Sequence, residues 1–299
     1  MHGFRWLGVV LAAGAFAFAG CGDDEEGEGA AGAAATPAAE ATKFAADSTL
    51  GKIQAKGEIT IGVKFDVPPF GVKNPQTGDV EGFDVEMGKA IAAKLGVKPK
   101  FIEAISDNRI PFLEDGTADV ILSTMTINEE RVQQIEFSDP YFIARGRVLV
   151  PGDSDITGVA DLAGKNVCTA LGSTYEANLT KQAPDAKLKL VDSYSECLEL
   201  VQNGAVDAVS TDDVILTGMI IQDDTLKLVG EQLTQEPYGA GIKKGDTEMV
   251  TFVNETFQGL KDDGTWMKLY DQWIGKYTKE PGEVPAISVA EAVDLVKKN

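Results

Sequence analysis

The chain has 299 residues, 43% of them hydrophobic, with 47 Asp and Glu against 27 Lys and Arg, a formal net charge of -20. Its length exceeds that of one typical hydrophobic core, so we expect two lobes or domains. The negative charge repels phosphate backbones and argues against a nucleic-acid partner. The one histidine, His2, lies at the extreme N-terminus, which argues against Ser-His-Asp catalysis and histidine-ligated metal sites.

The N-terminus reads as a secretory signal peptide over residues 1–20, with an apolar run from Trp6 to Ala19 that is too short for a permanent membrane span. The sequence FAGC, ending at Cys21, resembles a bacterial lipobox, which implies lipidation of that cysteine; plain secretion is the alternative. Residues 21–46 are rich in Gly, Ala and acids and are predicted to form a flexible tether. We therefore expect an extracytoplasmic or periplasmic protein, held to the membrane only by a lipid anchor.

From residue 47 onwards, short β-rich runs alternate with segments of helical period, for example ITIGVKF, VEMGKAIAAKL, ADVILST, NVCTA, SECLELVQ and AVDAVST. This alternation predicts an α/β fold in which mainly parallel sheets are flanked by helices. The segments LEDGTADVILST and VQNGAVDAVSTDD share Gly-x-x-Asp before a strand, as expected of two similarly built lobes. Chance recurrence of a common helix-glycine-strand unit is the alternative.

TMTINEER, at 124–131, is expected at a turn from a strand into a helix. If Asn128 is the N-cap, Arg131 lies in the first turn, where the helix dipole disfavours a cation. Either Arg131 pairs with a nearby acid, Glu130 or Glu136, or it holds a bound anion.

The two cysteines after Cys21 lie in a predicted strand, NVCTA, and early in a predicted helix, SYSECLELV. In an oxidising compartment an even pair suggests one disulfide, here between Cys168 and Cys197. Two buried thiols are the alternative.

Seven stretches in order along the chain carry a family resemblance: GVKFDVPPFG, EGFDVEMGKAIAAKLGV, NRIPFLEDGTADV, TMTINEERVQQIEFSDPYF, DLAGKNVCTALGSTYE, GAVDAVSTDDVIL and DDGTWMKLYDQWIG. They resemble the amino-acid-binding solute-binding proteins of bacterial ABC transporters (family 3), specifically the glutamate- and aspartate-binding branch. The resemblance covers residues 58 to about 277 and implies a type II periplasmic-binding-protein fold, with two hinge crossovers and a ligand cleft between two lobes. It implies lobe 1 at 47–145 and 240–280, lobe 2 at 146–239, and a C-terminal tail at 281–299.

The resemblance also implies which residues contact the ligand's backbone groups. Arg131 would bind the α-carboxylate through two guanidinium N–H groups, assisted by the Thr126 hydroxyl, and Thr124 matches another contacting position. Asp212 would pair with the α-ammonium. The alternative is that Asp213 caps the following helix while Asp212 is an exposed acid at a strand end.

Lys64 and Arg109 match basic positions that meet a distal carboxylate in the acidic branch, and two cations there favour glutamate or aspartate over their amides. Ser173 and Thr174 precede the predicted helix YEANLTKQA and would offer N–H groups and hydroxyls to a carboxylate. Helix capping explains Ser173 equally well. Two further residues, Ser106 and Tyr194, align with contacting positions in parts of the family.

The resemblance therefore predicts a monomeric binding protein without catalytic residues, metal or cofactor. It would capture L-glutamate, or L-aspartate, by hinge closure and deliver it to a membrane permease with separate ATPase subunits. A glutamine or broad polar amino-acid carrier is the first alternative, and a cyclohexadienyl-dehydratase-like enzyme on the same fold is the second.

Overall fold

The structure is a computed structural model that describes residues 42–299. The predicted signal peptide, Cys21 and residues 21–41 of the tether lie outside the described residues. Within the described part, no helix is both long enough and apolar enough to cross a membrane.

The α-helices are α1 (Thr49–Lys56), α2 (Phe83–Leu95), α3 (Arg109–Glu114), α4 (Arg131–Gln134), α5 (Tyr175–Gln182), α6 (Tyr194–Gln202), α7 (Asp213–Gln222), α8 (Thr247–Asp262), α9 (Thr265–Tyr270), α10 (Lys276–Thr278) and α11 (Val289–Val296). The strands are β1 (Glu58–Val63), β2 (Asp66–Val67), β3 (Gly71–Lys73), β4 (Val80–Glu81), β5 (Lys98–Glu103), β6 (Val120–Ile121), β7 (Glu136–Phe137), β8 (Phe142–Pro151), β9 (Asn166–Ala170), β10 (Lys187–Val191), β11 (Ala208–Asp212), β12 (Leu226–Val229), β13 (Gln235–Tyr238) and β14 (Gly241–Ile242).

The first sheet has five strands in the order β5-β1-β6-β14-β7. Its central strand β1 pairs in parallel with β5 and β6, whereas β14 pairs antiparallel with β6 and β7. Ile59, Ile61 and Val63 of β1 are fully buried, as expected of a strand covered on both faces. This sheet therefore combines an early segment of the chain with β14, which returns from much later.

The second sheet has the order β10-β9-β11-β8-β12, with β13 also paired to β8. β9 is parallel to β10 and β11, but β8 is antiparallel to β11, β12 and β13. The α/β fold class is confirmed. The expectation of mainly parallel sheets is corrected, because the strands that carry the chain between the sheets run against their neighbours.

The repeated Gly-x-x-Asp unit occupies matching places in the two sheets. Each glycine has a positive φ, +78° at Gly116 and +74° at Gly204, and lies between a helix and a strand. The Asp119 carboxylate accepts a 2.7 Å hydrogen bond from the Thr60 N–H in β1. In the second unit, the Asp207 carboxylate accepts a 2.7 Å hydrogen bond from the Asn166 N–H in β9. The two sheets are thus assembled by the same local device.

The disulfide prediction is confirmed in the structure. Cys168 of β9 and Cys197 of α6 are bonded, with their Cα atoms 5.5 Å apart. Both residues are fully buried. The bond ties a strand of the second sheet to the helix that covers it, and the alternative of two free thiols is excluded.

The end of the predicted tether contacts the folded part, which corrects its boundary. The Phe44 ring meets the Phe252 ring edge-on, with centroids 5.5 Å apart. The Gln54 side chain accepts from the Phe44 N–H at 3.2 Å and donates to the Thr42 carbonyl at 2.7 Å. Residues 42–46 therefore pack against α1 and α8, because Phe44 gains by burying its ring.

The C-terminal tail forms helix α11, which begins with a capping box. The Ser288 hydroxyl accepts from the Glu291 N–H at 3.3 Å, and the Glu291 carboxylate accepts from the Ser288 N–H at 2.8 Å. Ala292 is fully buried in an apolar cluster beside the first sheet. The Asn299 side chain exchanges two 3.0 Å hydrogen bonds with the main chain of Gln235 in β13. The tail thus contacts both the first sheet's core and a strand of the second.

Candidate ligand-binding site

Loops from the two sheets meet around a small closed cavity of about 10 Å³. Such a volume is at the lower limit for one water molecule, so the walls of the cleft are in contact. A larger cavity of about 880 Å³ lies next to it and shares several of its residues. Nine of the ten predicted ligand-contacting residues line the small cavity, together with Tyr175, which was not predicted: Ser106, Arg109, Thr124, Thr126, Arg131, Ser173, Thr174, Tyr194 and Asp212.

Arg131 begins α4 directly after the TMTINEE turn. The Asn128 side chain accepts a 2.9 Å hydrogen bond from the Arg131 N–H, which is the capping contact that was expected. The guanidinium donates from Nη1 to the Thr126 carbonyl at 2.8 Å and from Nη2 to the Gly172 carbonyl at 3.0 Å. Two of its five N–H donors are therefore engaged within the described chain, which leaves capacity for an anion.

The alternative role for Arg131 was an ion pair with a neighbouring acid, and within residues 42–299 Arg131 forms no salt bridge. Glu136 pairs with Lys244 at 3.2 Å, and the side chain of Arg131 is turned into the cavity. The residue is only 7% exposed. Burial lowers the pKa of Arg131, and the charge of the buried Glu236 acts in the opposite direction. Arg131 is thus a buried cation facing the cleft.

Arg109 lines the same cavity, but main-chain carbonyls occupy most of its donors. Nε donates to the Ser106 carbonyl at 3.0 Å, and Nη1 donates to the Ser123 and Thr124 carbonyls at 2.9 and 3.2 Å. Nη2 donates to the Gly172 carbonyl at 3.3 Å, across the cleft. Arg109 consequently fixes the loop at 123–124 and has little remaining capacity for a distal carboxylate.

Lys64, the tenth predicted residue, follows β1 and does not line the small cavity, although two residues that it contacts do. Its Nζ donates to the Ser106 hydroxyl at 2.9 Å and lies 5.6 Å from the centre of the Tyr194 ring. Burial, together with the nearby charge of Arg109, lowers the pKa of Lys64 to about 7. The amine is therefore held where a free positive charge is disfavoured.

Asp212 ends β11 and is buried, which excludes the alternative of an exposed acid at a strand end. Its Oδ1 accepts a 2.9 Å hydrogen bond from the Tyr175 hydroxyl. Asp213 instead turns away and accepts from the Arg145 N–H at 3.0 Å. Burial, and then the charge of Glu236, raise the pKa of Asp212 to about 8. Such a carboxyl is poised to lose its proton to a cationic partner.

Glu236 of β13 accepts hydrogen bonds that fix the loop before α5 and the first turn of that helix. Thr174 donates its hydroxyl hydrogen to Glu236 at 3.0 Å, and the Asn178 side chain donates to the other oxygen at 3.1 Å. The Ser173 hydroxyl accepts from the Tyr175 N–H at 3.3 Å. Both hydroxyls predicted to meet a ligand thus already bond to protein groups, although they line the cavity.

Sequence reasoning missed three buried groups at or beside the site. None of them belongs to a local sequence pattern from which its hydrogen-bond partner could be predicted. Tyr175 opens a helix, and Glu236 lies in a short strand. Asp84 lies in the first turn of α2, where an acid is expected simply to favour the start of a helix. The site therefore combines three buried cations with three buried carboxyl groups, and these are Lys64, Arg109, Arg131, Asp84, Asp212 and Glu236.

Residues 59–276 match the family model described as bacterial extracellular solute-binding proteins, family 3. The chain belongs to this family. The ABC transporter glutamine-binding protein GlnH of Bacillus subtilis (strain 168) is 38% identical to this solute-binding protein over 239 residues, which cover 79% of this chain and 88% of GlnH. The glutamine-binding protein of Geobacillus stearothermophilus is 43% identical over 204 residues, covering 67% and 78% of the two chains.

A solved structure of an ancestral arginine-binding protein bound to glutamine superimposes on this solute-binding protein with a TM-score of 0.70. The two chains are 40% identical, and the superposition covers 73% of this chain and 98% of the other. Membership of the solute-binding family inferred from the motifs is confirmed, but the glutamate- and aspartate-binding branch is not shown, and helix α11 lies outside the matched region.

Proposed function

We propose that this solute-binding protein binds free L-glutamine outside the cytoplasmic membrane and delivers it to an ABC permease. One observation carries the proposal: Arg131 and Asp212, buried groups of opposite charge from the loops of different sheets, line the same cavity. A zwitterionic amino acid requires a partner for each of its charges in such an environment. Arg131 has N–H donors to spare for the α-carboxylate, and Asp212 is suited to the α-ammonium.

The charges of the site support an uncharged ligand side chain. Counted as fully ionised, the three buried basic groups equal the three buried carboxyl groups in number, so glutamine leaves this formal count unchanged whereas glutamate adds one negative charge. Arg109 already bonds to four main-chain carbonyls, and Lys64 bonds to Ser106. Because these hydrogen bonds leave few donors for a second ligand carboxylate, they favour glutamine, the first alternative of the sequence analysis, over glutamate.

The comparisons also support glutamine. Both curated relatives described above are named glutamine-binding proteins, and the superimposed ancestral protein was solved with glutamine bound. We extend the proposal to hinge closure about β8 and β13, the strands that connect the sheets, and to anchoring through lipidated Cys21.

The deciding experiment is calorimetric titration of the purified protein, stripped of ligand, with glutamine, glutamate, asparagine, aspartate and arginine. We expect micromolar or tighter binding of glutamine, equivalent to about 8 kcal/mol or more. Glutamate should bind at least about tenfold more weakly, because its extra charge finds no free partner.

Lys64→Met serves as the companion variant for this titration. It should change glutamine affinity only modestly and leave glutamate weak. Equal or tighter glutamate binding that Lys64→Met abolishes would restore the acidic amino-acid assignment. Silence with all five ligands, combined with turnover of a carboxylated cyclohexadiene, would instead support an enzyme.

The pairing of Asp212 with an ammonium predicts a pH dependence of binding. Without ligand the pKa of Asp212 is raised to about 8, and an ammonium partner lowers it, so binding releases a proton. Affinity for glutamine should therefore fall as the pH drops from 8.5 to 6.5, by up to about tenfold per pH unit below 8. Titrations at five pH values measure the slope.

The control for this pH dependence is Asp212→Asn, which should bind weakly and with a nearly flat profile. Lys64 and Asp84, with pKa values shifted to about 7, titrate in the same range, so any slope remaining in Asp212→Asn belongs to them. If the pH dependence of glutamine affinity is the same in Asp212→Asn as in the parent protein, Asp212 does not pair with the ligand's ammonium.

A further inference from the structure

Thr124 has a backbone conformation that β-branched residues rarely adopt. Its φ is +45°, and the only other non-glycine residue with positive φ within 42–299 is Lys279. Lys279 ends a short helix at the surface, whereas Thr124 is only 5% exposed and lines the cavity. Such a conformation persists only where the surrounding structure enforces it, and it often marks a ligand-binding position.

The Asp84 carboxylate holds this conformation from one side. Its Oδ2 accepts a 3.0 Å hydrogen bond from the Thr124 N–H, and its Oδ1 accepts a 2.7 Å bond from the Tyr141 hydroxyl. From the other side, Arg109 donates to the Thr124 carbonyl at 3.2 Å. Both ends of the strained residue are therefore fixed by buried side chains.

Asp84 itself is fixed by the fold. It lies in the first turn of α2 and is 1% exposed. Its second partner, Tyr141, directly precedes β8, the strand that leads to the second sheet, and the Trp266 indole donates to the Tyr141 carbonyl at 2.8 Å. The carboxylate thus connects the ligand-facing loop to the start of the strand between the sheets.

We propose that Asp84 is a positioning residue for ligand binding. By accepting from both Thr124 and Tyr141, it keeps Thr124 in the left-handed conformation that presents residues 124–126 to the ligand. This inference rests on the proposed binding function. Asp84 does not touch the ligand and acts through the loop.

The first test needs no ligand and measures hydrogen exchange of the Thr124 amide by NMR in the ligand-free protein. We expect strong protection, reduced at least about tenfold in Asp84→Asn, since asparagine places an NH2 donor where one of the two acceptor oxygens, Oδ1 for Tyr141 and Oδ2 for Thr124, now lies. Glu86→Gln is the matched control, an acid-to-amide change on the same helix at an exposed pair with Lys89. It should leave the exchange rate unchanged. An unprotected Thr124 amide in the parent protein would overturn the proposal.

The second test is a double-mutant cycle on glutamine affinity. Asp84→Asn should weaken binding at least about tenfold, but less than about threefold in the Thr124→Gly background, because glycine adopts positive φ without strain. Equal losses in both backgrounds would mean that Asp84 merely supports folding, and the inference would be wrong. If the parent protein binds no amino acid while its Thr124 amide is protected, the proposed function fails and the ligand role of Asp84 fails with it, and only its hold on the Thr124 conformation stands.

Discussion

Changing Arg131 to lysine should lower glutamine affinity by on the order of 100-fold, or about 2.7 kcal/mol. Lysine keeps the positive charge but loses the planar fork that can donate two N–H groups to one carboxylate. Each charge-assisted hydrogen bond contributes about 1.5 to 3 kcal/mol, so the loss of one accounts for the expected effect. Calorimetric titration measures the change, and the melting temperature of the ligand-free variant shows whether the fold is retained.

Arg145→Lys provides the same substitution at an exposed position. Within residues 42–299 the only ion pair of the Arg145 side chain is a 3.9 Å contact with Glu280, and the two side chains are 46% and 70% exposed. Surface pairs of this kind contribute little, so this variant should bind glutamine within about twofold of the parent. If Arg131→Lys also binds within threefold, Arg131 does not hold the α-carboxylate.

Gly218→Ala should weaken glutamine binding at least about tenfold by preventing the observed closure of the cleft. Gly218 lies in α7, and a Cβ atom added there would overlap the Pro68 carbonyl oxygen, which belongs to the loop after β2. A backbone oxygen cannot move aside as the end of a flexible side chain can. The sheets would have to stay further apart, which denies the ligand its full set of partners. Titration gives the affinity, and small-angle scattering with and without glutamine reports the compaction.

The matched control is Gly259→Ala in helix α8, where an added Cβ meets no atom within 4 Å. Alanine in a helix is preferred over glycine by roughly 0.5 to 1 kcal/mol, so this control should be slightly more stable and bind normally. Normal affinity and normal ligand-induced compaction in Gly218→Ala would show that the contact with Pro68 is not needed in the bound state.

The residues that meet in the site were largely predictable because they follow strands. TMTINEER follows β6 of the first sheet and STDD spans the end of β11 of the second, and ligands of open α/β folds bind outside the carboxyl ends of the strands. Arg131 and Asp212 could therefore be placed near a common cleft from sequence patterns and family resemblance. The cysteine pair was predictable for a similar reason, since a strand and its covering helix are adjacent.

The availability of Lys64 and Arg109 for a distal carboxylate of the ligand was harder to predict from the sequence. Arg109 lines the cavity as expected, whereas Lys64 only contacts residues that line it, and a residue type does not reveal which of its donors are already used. Arg109 directs its N–H groups to carbonyls 3 to 63 residues away in the chain. Whether a cation is free for a ligand depends on such contacts.

Local chemistry therefore determined the α/β pattern and the repeated Gly-x-x-Asp units, since both depend on short-range spacing and residue type, while the family resemblance implied the ligand role of Arg131. Tertiary packing alone decided the contacts of Asp84 with Thr124 and Tyr141, the support of the α5 loop by Glu236, and the burial of three basic and three carboxyl groups together. These features arise where side chains distant in sequence are buried together. Burial makes an unpaired charge costly, so the identity of each partner, rather than the residue itself, determines what the site can bind.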